Sequence, residues 1–247
     1  MKNAKTILFI VLLALVQNGE AQGFVNLDFE DAIIVADPSS PYYPNAVYAS
    51  DAIPGWAVTG NFLGPNEIVY NALSLGAPSV ALLGVNSQYI PLPLDGAFSI
   101  DLYGGAGPST NVSISQMGLV PANAASIRFS AQGVNPPSAG GPLLVSLGGQ
   151  SISFSAISTG PNYTLYGGNI PSAFAGQNEQ LTFLAPTDGG NNYWEIDDIQ
   201  FSPSSVPEPS VFGLFALGGL FFGLRCWRKC EADCCKGDIT ERAGRWL

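Results

Sequence analysis

Ala97-Phe-Ser-Ile-Asp-Leu-Tyr103 alternates apolar and polar positions and stops at Gly104-Gly105. Period two puts successive side chains on opposite sides of an extended chain, the pattern of a half-buried strand. The same rhythm marks Val112–Gln116, Ser126–Ser130, Leu143–Leu147, Ser151–Ile157, Tyr163–Tyr166, Gln180–Leu184 and Tyr193–Phe201. Gly, Pro, Asn or Ser bounds each run, and many are spaced by about ten residues, which predicts a sandwich or barrel rather than βαβ units. A turn or short helix is expected around Asn66–Leu75. Asp95-Gly96 and Gly148-Gly149 fall between strand-like runs, where tight hairpins need residues that accept φ > 0. Asn135–Pro142 is rich in prolines, which lack ladder donors, and reads as a loop.

Two longer apolar segments break this rhythm, one at each end. Lys2 and Lys5 precede the run Ile7–Val16, and small residues follow at Gly19 and Ala21. This charged, apolar, small-residue order is that of a secretory signal peptide cut by a signal peptidase after Ala21. Near the other end, Val206-Pro207-Glu208-Pro209-Ser210 leads into the apolar run Val211–Leu224 and then Arg225-Cys226-Trp227-Arg228-Lys229. Those fourteen apolar residues span about 21 Å as a helix, against a hydrocarbon core of about 30 Å. Snorkelling by Arg225, Arg228 and Lys229, with Trp227 at the interface, makes up the difference, and the basic cluster places the C-terminus in the cytoplasm. The expected organisation is a signal peptide at 1–21, a β-domain at 24–202, a linker at 203–210, a transmembrane helix at 211–224 and a basic, Cys-containing tail at 225–247.

Charge narrows the function. Between Phe24 and Ser205 there are thirteen Asp or Glu residues, no Lys, and Arg128 as the single fixed positive charge. A groove that tracks phosphates needs several Lys or Arg side chains, so nucleic acid is excluded as a partner. Acidic surfaces suit solubility outside the cell and the capture of divalent cations. The four cysteines, Cys226, Cys230, Cys234 and Cys235, all lie in the tail, so no disulfide staples the β-domain. Their spacing is not a paired zinc knuckle and the chain has no histidine.

The order Val206-Pro207-Glu208-Pro209-Ser210, apolar run, Arg225/Arg228/Lys229 resembles the PEP-CTERM sorting signal of bacterial envelope proteins. The resemblance implies recognition and cleavage by an exosortase-type processing enzyme in the membrane. It also implies a transient membrane anchor, and a final location at the cell surface or in the extracellular matrix.

Phe24-Val-Asn-Leu-Asp-Phe-Glu30, Trp56, and the closing run Asn192-Tyr-Trp-Glu-Ile-Asp-Asp-Ile-Gln-Phe201 together resemble the galactose-binding-like jelly rolls that include many carbohydrate-binding modules. That resemblance implies an all-β, jelly-roll β-sandwich whose terminal strands meet and supply a structural Ca²⁺ site. Carried over, Glu30 and Asp198 are its first ligand candidates, with Asp197 and then Asp28 behind them. Strict alternation along Trp194–Ile199 would set Trp194, Ile196 and Asp198 on one face and Glu195, Asp197 and Ile199 on the other. The same run reads equally as the start of a solvated rim. Ile114–Phe129, with its Pro-Ala-Asn turn, is similar to exported PEP-CTERM proteins of this type, a group associated with surface polysaccharide.

Three functional classes remain open from the residues. The first is a non-enzymatic envelope or extracellular-matrix protein making structural or adhesive contacts. The second is a Ca²⁺-stabilised carbohydrate-binding module for surface polysaccharide, using Tyr42, Tyr43 and Trp56 as its aromatic platform; Trp56 also reads as a core residue. The third and weakest is a glycoside hydrolase with two carboxylates drawn from Glu30, Glu67, Glu179 or Glu195. A β-domain with neither His nor Cys excludes Ser-His and Cys-His catalysis, so the expectation is a protein that is not an enzyme.

Overall fold

The computed structural model describes residues 23–72, 76–87, 92–105, 111–133, 141–187 and 192–207. The signal peptide, the transmembrane segment, the tail cysteines, and Glu208, Pro209, Ser210, Arg225, Arg228 and Lys229 lie outside the described residues. Among the described residues no helix is long and apolar enough to cross a membrane.

In chain order the strands are β1 (Ala46–Tyr48), β2 (Ala57–Thr59), β3 (Glu67–Tyr70), β4 (Ser79–Gly84), β5 (Phe98–Tyr103), β6 (Val112–Leu119) and β7 (Ser126–Gly133), followed by β8 (Leu144–Leu147), β9 (Gln150–Ile152), β10 (Ser155–Thr159), β11 (Thr164–Asn169), β12 (Asn178–Ala185) and β13 (Tyr193–Ser202). They form an eight-stranded sheet, β1-β3-β4-β5-β13-β7-β11-β10, and a five-stranded sheet, β2-β6-β12-β8-β9. Pairing is antiparallel except between β3 and β4. The predicted all-β character is therefore present as two sheets.

Their inner faces share one apolar core. Val80, Leu82, Ile100, Leu102, Phe129 and Ile196 come from the larger sheet, and Ile114, Val145, Leu147, Leu181 and Phe183 from the smaller. Phe129 and Phe183 meet edge to face across the two layers, with centroids 5.2 Å apart. Without disulfides in this domain, burial of these side chains supplies the main driving force for folding.

Runs with clean alternation form strands. Gly148 and Gly149, at φ +57° and +75°, make the two-residue turn between β8 and β9 that their sequence predicts. Three expectations need correction. Asn66–Leu75 is not helical where it is described: Glu67–Tyr70 is β3, with Ile68 and Val69 buried on opposite sides. The α-helical turn among the described residues, α1, is instead Ala49–Ala52. Ser151–Ile157 is not one strand, because Ser153-Phe154 separates β9 from β10 and Phe154 packs against the core. Asp95-Gly96 makes no tight hairpin; it closes a longer connection from β4 to β5.

The start of the domain differs too. Phe24–Glu30 is not a ladder strand. Gly23 makes an isolated bridge to Leu119, and the buried Gln116 side chain then stands in for a strand neighbour. Its Oε1 accepts from the Val25 N–H at 2.6 Å, and its Nε2 donates to the Val25 carbonyl at 3.0 Å. The chain beyond turns through Asn26 and Phe29, at φ +48° and +58°.

The chain divides into two compact units, Met1–Val206 and Pro207–Leu247. Residues 203–206, expected as linker, belong to the first. Ser126 Oγ donates to the Ser204 carbonyl at 2.7 Å, and Val206 is buried.

Candidate functional site

The turn that ends in Glu30 is fixed from several directions. Trp56 Nε1 donates to the Asn26 carbonyl at 2.9 Å, the Asp31 N–H to Asn26 Oδ1 at 3.0 Å, and the Ile199 N–H to the Leu27 carbonyl at 3.0 Å. The last bond joins the opening turn to the closing strand, so the two ends of the domain do meet. Glu30 Oε1 then accepts from the N–H groups of Ala97 and Phe98 at 2.8 and 3.0 Å. Gly96, at φ +57°, has no Cβ where one would strike that carboxylate, which explains a glycine here better than a hairpin does.

Asp197 approaches the same loop from β13. Its Oδ2 accepts from the Asp95 N–H at 3.0 Å and its Oδ1 from the Asp198 N–H at 2.7 Å. Burial pushes its carboxyl up to about 8 despite both donors. The expected alternation fails one residue later. A bulge between Asp197 and Gln200, with Asp198 at φ +48°, shifts the phase of the strand. Ile199 therefore enters the core rather than sharing a face with Asp197. Asp198 turns to the half-exposed rim, where Gln200 Nε2 donates to its Oδ1 at 2.6 Å.

Of the four sequence candidates for Ca²⁺, Glu30 and Asp197 converge on residues 95–98, while Asp28 and Asp198 sit at the margins. Asp28 is exposed and its Oδ1 accepts from the Glu30 N–H at 3.4 Å. Among the described residues no three His, Cys, Asp or Glu side chains form a group that could hold a metal ion.

The aromatic candidates separate. Trp56 is 5% exposed and packs on Phe29 and Phe183, so its ring is taken up by the core. Tyr42 and Tyr43 are 52% and 59% exposed. Their loop is set by Asp37, whose Oδ1 accepts from the Ser39 hydroxyl at 2.7 Å and the Ser39 N–H at 2.8 Å; these bonds hold the Asp37 carboxyl below the usual carboxylate value. Tyr42 meets Phe62 edge-on at 5.1 Å.

The first residue of the Pro-Glu-Pro segment is held by one side chain. Asn169 Oδ1 accepts from the Val206 N–H at 2.7 Å and Asn169 Nδ2 donates to the Val206 carbonyl at 3.0 Å. Sequence periodicity carries no sign of this clamp, because Asn169 ends β11 and reads as an ordinary turn residue. Pro207 begins the second unit.

A family model described as the PEP-CTERM protein-sorting motif matches residues 205–229. Its first two residues, Ser205 and Val206, are the last of the first compact unit, and the Pro-Glu-Pro, apolar and basic segments lie within the matched span. The match supports export and exosortase-type sorting to the envelope. No curated protein matches the chain.

Proposed function

We propose that this protein is exported and then released by an exosortase-type enzyme to work at the cell surface or in the extracellular matrix, without catalysis. The observation that carries the reading is the sorting motif at 205–229, which starts where the first compact unit ends. A signal peptidase removes residues 1–21. The segment 211–224 then holds the chain in the membrane, with Arg225, Arg228 and Lys229 on the cytoplasmic side, while Pro207-Glu208-Pro209 is presented outside. The β-domain follows a jelly-roll plan of the galactose-binding-like kind and makes structural or adhesive contacts. Its Glu30 and Asp198 carboxylates, near the meeting of the two ends, take a structural Ca²⁺.

The experiment is C-terminal mass spectrometry of the exported protein in a host with an exosortase. Glu208→Ala, and separately the triple change of Arg225, Arg228 and Lys229 to Ala, should leave the tail attached. A mature C-terminus identical to wild type in both variants would sink the sorting role.

A second reading, carbohydrate binding to surface polysaccharide, is favoured by one observation: Tyr42 and Tyr43 are adjacent and more than half exposed on a loop fixed by Asp37. Exposed tyrosines offer flat apolar faces with a polar tip. A glycan array run with calcium and with a chelator separates the readings. Saturable binding abolished by Tyr42→Ala/Tyr43→Ala makes the domain a carbohydrate module, and no binding leaves the structural role.

A further inference from the structure

The outer side of the eight-stranded sheet carries a row of acids that the sorting reading does not use. Asp101 on β5 stands in register with Ala81 on β4 and Glu195 on β13. Asp101 and Glu195 are both 0% exposed, as are Ser99 and Ser79 on the same side of the sheet. An outer sheet face in a two-layer protein normally meets water, which would solvate two adjacent carboxylates. Here it does not.

These groups are also short of partners. Ser99 Oγ donates to Glu195 Oε1 at 2.5 Å. Glu195 Oε2, both carboxylate oxygens of Asp101, and Ser79 Oγ are buried without a hydrogen-bond partner. Buried carboxylates without donors are rare, because the lost hydration has to be replaced by hydrogen bonds, a counter-charge or a proton. The chain offers little counter-charge: the domain has no Lys, and Arg128 is its single Arg. Burial, and then the neighbouring Glu195 charge, drives the Asp101 carboxyl well above its ordinary value, and no lowering influence opposes them.

We propose that Asp101 and Glu195 hold a divalent, oxygen-preferring cation between β5 and β13, with Ca²⁺ as the ion. Two carboxylates supply the two negative charges that such an ion neutralises. Asp101 has both oxygens available for bidentate contact, Glu195 Oε2 is free for a third, and the Ser79 hydroxyl lies on the same face, one residue pair along β4. Ca²⁺ takes six to eight oxygens in an adaptable arrangement and accepts hydroxyl and water oxygens beside carboxylates, whereas Mg²⁺ demands a near-ideal octahedron and dehydrates reluctantly. Two adjacent carboxylates repel an anion, and a soft metal would look for the Cys and His ligands that the domain lacks. This site is separate from Glu30 and Asp198, which touch the loop at 95–98 and the rim.

The test is calcium binding by the full chain, stripped with a chelator, read as bound ions by native mass spectrometry and as tyrosine-sensitised emission after replacement by terbium. Tyr103 and Tyr193, stacked at 4.0 Å and paired in register on the same two strands, are placed to sensitise it. Asp101→Asn, which keeps the shape and removes the charge, should lose one ion or bind it at least about tenfold more weakly, and should lose the emission. Glu30→Gln should keep the emission and lose at most the one ion assigned to the terminal site. Glu195→Gln, which retains the oxygen facing Ser99, serves as the second variant should Asp101→Asn not fold, and should show the same loss. The proposal is overturned if wild type binds no calcium, if the Asp101 or Glu195 variants bind and emit as wild type does, or if the emission is lost with Glu30→Gln. In the first case the pair holds a proton instead; in the last the ion belongs to the terminal site, and only the reading of Glu30 survives.

Discussion

The two sheets turn opposite faces to the outside. On the five-stranded sheet the outward positions include Ala57 and Thr59, Ser115 and Met117, Gln180 and Thr182, and Leu144 and Ser146, without one charge. Met117 and Leu144 are 56% and 45% exposed there. On the eight-stranded sheet the central outward positions are Ser99, Asp101, Tyr103, Glu195 and Asp197, and all of them are buried. The usual arrangement would put acids in water and cover apolar groups. Here a neutral face is open while three carboxylates are covered. What separates the faces is not composition alone but cover: the loop with Phe62 and Leu63 packs over Val69, Ala81 and Leu83 on the larger sheet, and the Asp95 N–H binds Asp197. A carboxylate under such cover has to be compensated chemically, whereas a threonine in water does not.

The harshest way to break this comparison is to add the same acid to each face. Ser99→Asp would place a further charge beside Glu195 and remove its donor, and should cost about 3–5 kcal/mol of unfolding free energy. Ser115→Asp, on the open face, should stay within about 0.5 kcal/mol. Urea titration of the exported protein measures both, and equal losses would show that the faces are not different environments.

Next in size is pH in the presence of a chelator. Burial raises Glu195 from 4.5 to about 7. Its folded pKa is thus above its unfolded one, so the stabilising protonation is complete below about 4.5 and is lost as pH climbs through about 7. The urea midpoint should fall over that window, by an amount equivalent to about 2–3 kcal/mol. A flat profile would mean that the carboxyl is solvated or compensated without the metal.

Asp101→Asn should then show a crossover. In chelator it is expected to match or exceed wild-type stability by about 1 kcal/mol, since a buried unpaired charge is gone. In calcium the order should reverse, which a differential scanning experiment reads directly. The smallest effect belongs to the open face: Met117→Thr should change the melting temperature by no more than about 2 °C. A larger fall would reveal that something covers this side of the sheet in solution.

Much of the architecture is legible because alternation is a local property. Phe98–Tyr103, Val112–Leu119 and Asn178–Ala185 alternate in sequence, so their residues announce a strand without reference to any neighbour. β4 escapes the pattern for the converse reason. All six residues of Ser79–Gly84 are buried on both sides, so the run has no alternation to read. Asn66–Leu75 misleads because the Asn, Glu and Leu composition permits a helix, while pairing of Glu67–Tyr70 with β1 and β4 decides for a strand. The site is only half legible. Glu30 and Asp197 do meet one loop, but the bulge at Asp198 inverts the faces that strict alternation assigns.

The sequence by itself determined the sorting route and the class of the fold. A linear signal such as 205–229 is read as a string, and strand periodicity is written into consecutive residues. It also determined that the domain carries almost no positive charge to pair with its acids. Tertiary structure alone decided which acids those would be. Ser99 and Glu195 stand 96 positions apart in the chain, and only the register of β5 on β13 makes them neighbours and aligns Asp101 beside them. Whether an acid on a strand lies in water or under cover depends on loops from elsewhere in the chain, and desolvation is a property of that surrounding volume rather than of the residue.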